Sequence, residues 1–371
     1  MNFINMNMIQ AVPANNMNRG SYGEVKTIDY GDGIRQRSSS QSWKRPVRMS
    51  INEWCKENGY SFGIFSRQFA NEFKRKLESE GIVIENLEQI FIDMKLLVEK
   101  NKADSKKPKV VDEVEGDGET QKKTKEAPMM YISDAEFDII YDAIKSGNVY
   151  TTKTNKKGKV ETLTKSLSDL LVNAGCRSPY EIATFGRMFA DNPELNVPSA
   201  IFMNHPMSTH AITREVDYFT AVDQLNPNGG AGHIDTFEFT RSTLYRYVGI
   251  DLDQLKKNMH GNDYKEYLRI LLKTFIMAFP SGKSNSYFAT THPSYVSFTV
   301  AKGMPYQLSD AFEQAIPATE EGFLAPSIRK LKEYRKNDEL LGLNEIILST
   351  EWEKDKGINL NNVIDSVINA I

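Results

Sequence analysis

The stretch SSSQSWKRPVR, residues 38–48, sets four serine hydroxyls, a glutamine amide, an indole and three cations within eleven residues. Hydroxyls, amides and cations are the donors that a phosphodiester backbone takes, and such contacts hold a strand without reading its bases. Lys44 and Arg48 are four residues apart and project from one face if the segment is helical. Pro46 lacks an N–H and is comfortable only in a first helical turn, which predicts a helix starting near Trp43 or Lys44. The serines would then stand at an anion-attracting helix N-terminus. An N-cap followed by a solvated basic turn explains each residue singly, but explains the whole set less well.

Other stretches with chemical potential fail on spacing or context. Gly282-Lys283-Ser284 in PSGKSNS resembles the end of a phosphate-binding loop, but the position that needs the first glycine is Met277 and the segment follows a helical pattern. GSYGEV at 20–25 resembles half of a kinase glycine loop, with no HRD or DFG motif after it. His205 and His210 in HPMSTH lack the glutamate and cysteine partners of a metal site, so satisfied or exposed histidines are expected. Asp29 and Asp32 lie in a glycine-rich loop, where carboxylates commonly bond their own backbone; a catalytic aspartate is the rival reading.

The elements that must position these residues belong to a chain of 371 residues with 40% hydrophobic and 26% charged content, a globular composition with room for one large domain or several smaller ones. The net charge of −3 conceals a basic N-terminal end, where Arg19, Lys26, Arg35, Arg37, Lys44, Arg45 and Arg48 face only Glu24, Asp29 and Asp32. Two cysteines, Cys55 and Cys176, can build neither a disulfide framework nor a structural zinc site. No secretory n-region and no apolar run of membrane-spanning length occur, so a cytosolic, cytoplasmic protein that meets no membrane is expected.

Residues 1–12 predict a strand and the Gly/Asn/Asp-rich 18–37 a loop or broken hairpin. Phe65, Phe69, Phe73 and Leu77 recur at helical spacing. Residues 99–128 carry too little apolar surface to fold and predict a mobile charged insertion. SDAEFDIIYDAIKSG predicts a helix with a Ser133/Glu136 capping box and a stop at Gly147, and LTKSLSDLLVNAG another. Between them, Lys153, Lys156, Lys157, Lys159 and Lys165 read first as a solvated basic turn and second as a nucleic-acid contact. From residue 209, two β-rich arms joined by NPNGGAG predict a long hairpin. FATTHPSYVSFTVAKG adds strand, and LDQLKKNMHGNDYKEYLRILLKTFIMAF, SDAFEQAI and SIRKLKEYRKNDELLGL predict helices. Without a βαβ repeat, the fold class is α+β.

Several blocks together resemble the CasC family, the backbone subunit of the type I-E CRISPR surveillance complex called Cascade. They are FIN at 3–5, MNR at 17–19, SSQSWKR at 39–45, FGRMFAD at 185–191, STHAITREVDYFTAVDQL at 208–225, GGAGHIDTFEFTRSTLYRY at 229–247 and GFLAPSI at 322–328. The resemblance implies an RRM-like, modified ferredoxin-like palm (1–60 and 242–371), a helical fingers insertion (61–190) and a β-hairpin thumb (191–241). It implies a non-catalytic, crRNA-binding scaffold in antiviral defence, oligomerising along the guide so that the bases pair with target DNA, with no cofactor and no metal. By this resemblance Asn18, Arg19, Lys26, Ser39, Ser40, Gln41, Lys44, Arg45, Arg48, Arg187 and Met188 would meet RNA. Phe219, Val222 and Ile234 of the thumb would flank a displaced nucleotide. Lys153, Lys156, Lys157 and Lys159 are candidate DNA contacts. Partners implied are crRNA, target DNA through the guide, further copies of the chain, other Cascade subunits and, indirectly, a recruited helicase-nuclease. Rival readings are a type III-like subunit that cuts target RNA with Asp29 or Asp32, and a stand-alone RNA-binding module.

Overall fold

The structure, a computed structural model, describes residues 1–97, 129–154, 160–172, 179–222, 225, 231–260 and 264–371. The charged insertion expected at 99–128 lies outside the described residues, as does Cys176. The chain forms two units, Met1–Glu57 with Ser199–Ile371, and Asn58–Pro198.

The first unit opens with β1 (Asn2–Asn15), in which Phe3 to Gln10 are all buried, so both faces of the strand are covered. A register shift between Val12 and Asn15 marks the irregularity expected near Pro13. β2 (Thr27–Tyr30) and β3 (Gly33–Gln36) form a hairpin. Its turn residue Gly31 has φ +59°, and a Cβ there would collide with the Glu313 carbonyl, so only glycine fits. α1 (Ser40–Glu57) follows, burying Trp43, Val47, Ile51 and Cys55 at helical spacing.

The second unit contains β4 (Gly63–Ser66), α2 (Phe69–Ser79), α3 (Leu87–Asp93), β5 (Met130–Ser133), α4 (Asp134–Lys145), β6 (Tyr150–Thr154), β7 (Val160–Thr164), α5 (Leu167–Leu171) and α6 (Tyr180–Phe185). Its core gathers Phe69, Phe73, Leu77, Ile90, Phe91, Ile140 and Ile144. The capping box of α4 is formed in full: Ser133 Oγ accepts the Glu136 N–H at 3.0 Å and Glu136 Oε2 accepts the Ser133 N–H at 2.8 Å. Gly147, at φ +73°, ends the turn after α4. Phe65, expected on the helix with Phe69, instead lies in β4, which pairs with β5. Its spacing fitted a helix, but the pairing with a strand about 65 residues away decided otherwise.

Back in the first unit come β8 (Ile201–Met203), β9 (Met207–Ser208), β10 (Glu215–Val222) and β11 (Ala231–Asp251). They are followed by α7 (Leu252–Asn258), α8 (Tyr264–Met277), α9 (Ser284–Tyr287), β12 (Tyr295–Lys302), α10 (Leu324–Glu339), β13 (Glu345–Glu353) and α11 (Leu360–Asn369). The sheet runs β10-β11-β1-β12-β13 with antiparallel neighbours, and β8 and β9 also pair with β11. β11 is long because it begins as one arm of the hairpin with β10 and then continues across the sheet beside β1. Neither β13 nor α11 was expected. β13 is an edge strand with no fully buried residue, and its charged ends blunt the pattern.

On one face of β1, Ile9, Tyr245, Tyr247, Tyr295, Phe312, Ile328 and Leu331 pack together. On the other, Val12, Met17, Trp43, Leu244 and Ala289 form a second cluster. Arg246, fully buried beside that cluster, stacks its guanidinium 3.9 Å from the Trp43 ring centre. It donates to Gln10 Oε1 at 2.5 Å and to the Phe275 carbonyl at 2.6 Å, one of the last carbonyls of α8. Burial pushes its pKa down to about 9, so it stays protonated at neutral pH. Arg246→Ala should lower stability by about 3–5 kcal/mol, by opening a cavity under Trp43 and orphaning two acceptors. Urea unfolding with an unchanged m value would check it.

Candidate nucleic-acid interface

The loop after β1 is fastened by asparagines. Asn15 Nδ2 donates to the Thr240 carbonyl at 3.0 Å, and its Oδ1 accepts from Gln36 Nε2 at 2.6 Å. Asn16 Nδ2 donates to the carbonyls of Gly23 and Glu238. Asn18 then turns toward α1: its Oδ1 accepts the Ser39 N–H at 2.8 Å, while its carbonyl accepts the Lys26 N–H at 3.2 Å. The Lys26 carbonyl accepts the Arg37 N–H at 2.9 Å. Lys26, Arg37 and the start of α1 are thereby held as one assembly.

The helix begins at Ser40, three residues before the expected Trp43, and Pro46 lies inside it instead of in the first turn. Ser39 is the reason, since its hydroxyl accepts the Ser42 N–H at 3.3 Å and caps the helix. The serines divide their work. Ser38 and Ser42 share a hydroxyl hydrogen bond of 2.9 Å, Ser40 is buried, and Gln41 and Arg45 are exposed.

Lys44 is half-buried, and its pKa is lowered first by that burial and then by the charge of Arg48 on the same face. Arg37 Nη1 lies 2.6 Å from His205 Nδ1. Partial burial, followed by the charges of Arg37, Lys26 and Lys44, holds the His205 pKa below its ordinary value. Lys26, Arg37, Lys44 and His205 therefore share one positive field. Among the described residues none of the three cations in that field has a carboxylate within ion-pair distance. Lys26 also borders an open groove of about 610 Å³ that Arg19 and Arg214 line from other sides, with Glu24 as its carboxylate.

Other expected site residues are placed differently. Arg187, in the second unit, is a buried strut: its Nη1 pairs with Glu136 Oε2 at 2.6 Å, the two side chains are 6% and 4% exposed, and its Nε donates to the Leu195 carbonyl. Its guanidinium is engaged inside the unit with Glu136 and the Leu195 carbonyl. Met188 beside it is 80% exposed. In the hairpin, Phe219 stacks on Phe237 with ring centres 4.8 Å apart, and the Lys283 ammonium sits 3.2 Å above Phe237. Phe219 thus packs within the hairpin, and Lys283 is engaged with a ring. Val222 stands opposite Ala231 and Ile234 opposite Thr220 in register, with side chains outside the description. Lys153 lies in β6, its side chain likewise outside the description, and Lys156, Lys157 and Lys159 are outside the described residues.

The rival aspartate is tied into the fold. Asp32 Oδ1 accepts from Arg35 at 2.7 Å and from the Ala315 N–H at 2.9 Å, which holds its carboxyl below the usual range, whereas Asp29 is exposed on β2. His210 stacks on Phe323, accepts the Thr243 N–H at Nε2 and donates from Nδ1 to the Ala211 carbonyl, so it is a satisfied neutral histidine. No group of three or more metal-ligating side chains occurs among the described residues. No helix there is long and apolar enough to cross a membrane.

The chain is thus an α+β protein with a covered antiparallel sheet extended by a β-ribbon, with Lys26, Arg37 and Lys44 gathered near the start of α1. The chain belongs to the CT1975-like protein family, whose model matches residues 4–369. Two solved structures share its fold. A chain of a "CRISPR RNA-guided surveillance complex, pre-nicking" superposes with TM-score 0.77 at 24% identity, and one of a "CRISPR RNA-guided surveillance complex" with TM-score 0.60 at 21% identity; each alignment covers 99% of both chains. No curated protein matches the chain.

Arg187→Ala should destabilise the protein by about 3–5 kcal/mol, since it leaves Glu136 buried and uncompensated. Adding Glu136→Gln should recover part of that loss in chemical denaturation, and additive losses would contradict the pairing.

Proposed function

We propose that the chain is a crRNA-binding backbone subunit of a CRISPR surveillance complex of type I-E, that is, of Cascade. The observation that carries this reading is the field around His205, where Lys26, Arg37 and Lys44 stand together at the foot of α1 with no carboxylate at ion-pair distance among the described residues. Like charges at such distances repel, and the arrangement is relieved when a polyanion arrives. The similar structures are chains of CRISPR RNA-guided surveillance complexes, which agrees with RNA as that polyanion.

An RRM stacks bases on an open sheet face. In this chain β1 is buried on both faces, so the RRM-like palm we infer is one whose sheet is closed to bases. The guide is then met by side chains and loops at the edge, through phosphate and sugar, and its bases remain free to pair with target DNA. The hairpin of β10 and β11 is the thumb in this reading. It carries exposed Val216 and Tyr218 on one face and the packed Phe219 on the other, and apolar bulk of that kind can part neighbouring bases. Because one subunit covers a short piece of guide, copies stack head to tail, a heterologous contact that makes a filament. The subunit is a cytoplasmic scaffold without catalysis of its own, and cutting falls to a recruited helicase-nuclease.

Lys44→Ala with Arg48→Ala should weaken binding of single-stranded RNA alike for all sequences, and the slope of log K against log salt should shrink by about 0.7 for each phosphate that is no longer neutralised. An unchanged slope would count against both residues touching phosphate. Wild-type chain with guide RNA should form RNA-dependent oligomers in electron micrographs, whereas a stand-alone module would stay monomeric. Complementary RNA incubated with the complex and divalent metal should remain whole. Regular cleavage abolished by Asp29→Ala would replace the scaffold reading with a ribonuclease.

A further inference from the structure

Arg37 is oriented by a histidine, whereas other arginines of the first unit are oriented by carboxylates: Arg35 by Asp32 at 2.7 Å, Arg329 by Glu321 at 2.5 Å and Arg335 by Glu351 at 2.5 Å. A guanidinium has donors only, so the His205 Nδ1 that lies 2.6 Å from Arg37 must accept. The imidazole is therefore neutral, and its proton sits on Nε2, on an exposed side chain. A carboxylate in this place would fix Arg37 equally well but cancel its charge. A neutral imidazole fixes it and leaves the charge available.

We propose that Arg37 and His205 form a proton-linked phosphate clamp on the guide backbone: His205 positions Arg37 while the site is empty and becomes a second cationic donor when a phosphate enters. This rests on the guide-binding reading and adds two residues to it. The groups facing His205 are Arg37, Lys26 and Lys44, all positive; partial burial first and then these charges lower the imidazole pKa, in line with the neutral, accepting Nδ1 that the Arg37 contact requires. A phosphodiester brings one negative charge into that field and does not itself titrate near neutrality. Its arrival draws Arg37 off Nδ1, frees that nitrogen, and favours uptake of one proton from solvent. Arg37 and His205 then both donate to the same anion, with Lys26 and Lys44 beside them. The sign follows from this uptake. Guide affinity rises as pH falls through the bound-state pKa of His205, and levels off below its free-state pKa.

The experiment measures fluorescence anisotropy of a labelled single-stranded RNA on the full-length chain between about pH 8 and pH 5.5 at fixed ionic strength, a window that spans the ordinary histidine range. Wild-type affinity should rise toward acid, by at most about tenfold per pH unit, the limit for one linked proton. His205→Asn keeps an acceptor near the Nδ1 position and cannot titrate, so its profile should be flat. His205→Asp places a carboxylate on Arg37 and should bind more weakly than His205→Asn, with a smaller salt slope. Arg37→Gln should lose roughly tenfold or more in affinity, the worth of a charge-assisted hydrogen bond. An NMR titration of the His205 imidazole with and without RNA provides a readout independent of the variants, and its pKa should move up on binding. A flat wild-type profile, an acid rise that persists in His205→Asn, or an unmoved imidazole pKa would overturn the clamp while leaving guide binding standing. Absence of RNA binding at every pH would remove the guide-binding reading and the clamp with it.

Discussion

Each polar side chain that β1 buries must find a hydrogen-bond partner, because an unpaired polar group in a dry interior costs more than a made bond returns. The strand buries Asn5, Asn7, Gln10 and Asn15, and the rest of the first unit is arranged around their needs. Asn5 and Asn7 accept from the hydroxyls of Tyr247 and Tyr245, both at 2.8 Å, which brings two large rings of β11 into the core on one face. Gln10 accepts from Arg246, and that cation in turn holds Trp43 of α1 and the end of α8 on the other face. Asn15 reaches Gln36, and Ser242 donates to the far side of the same amide, so strand, hairpin and β11 are locked in one register. The loop that carries Asn18, Arg19 and Lys26 leaves from that lock.

Cations fall into three groups once their partners are considered. Arg35, Arg187 and Arg335 are paired with acids and largely buried, and they hold the fold together. Arg246 is buried without an acid, its charge spread over two carbonyl-type oxygens and an indole face. Lys26, Arg37 and Lys44 sit at the surface, and the elements that carry them are fixed by backbone and amide hydrogen bonds that consume none of their charge. A site meant for a polyanion needs that separation, because a surface carboxylate would compete with every phosphate that arrives.

Local signals were read well from the sequence and long-range ones were not. The capping box of Ser133 and Glu136 spans four residues and formed as expected, and the glycine-joined arms after residue 209 did form β10 and β11. The start of α1 was misplaced because Pro46 argued for a later first turn, while the cap comes from Ser39, which Asn18, 21 residues away, holds in place. Phe65 obeyed helical spacing and went to a strand. Arg187 looked like a surface cation, since nothing near it in sequence announces Glu136, 51 residues earlier. His205 was weighed with His210 as a metal ligand and expected instead to be a satisfied or exposed histidine, without a named partner; its neighbour, Arg37, lies 168 residues away. The adjacency of Arg37 to the serine-rich stretch was the available clue for the first half of that pair. The second half had none.

Covering the sheet has a consequence for selectivity. An open RRM face offers aromatic rings to bases, and differences in stacking and edge hydrogen bonding then become preferences among sequences. In this chain the rings that an open face would present are internal: Tyr245, Tyr247 and Tyr295 are packed under α10, and Trp43 lies against Phe279 and Arg246. Lys26, Arg37 and Lys44, which stand outside that core, are cations of the kind that act on phosphates, and every nucleotide carries those alike. In the proposed role, accepting any guide and leaving its bases for a second strand, a protein gains from losing the stacking face. In the proposed guide-binding role, stability and indifference to sequence would share one physical origin, because Tyr245, Tyr247, Tyr295 and Trp43, rings able to stack on bases, fill the core instead.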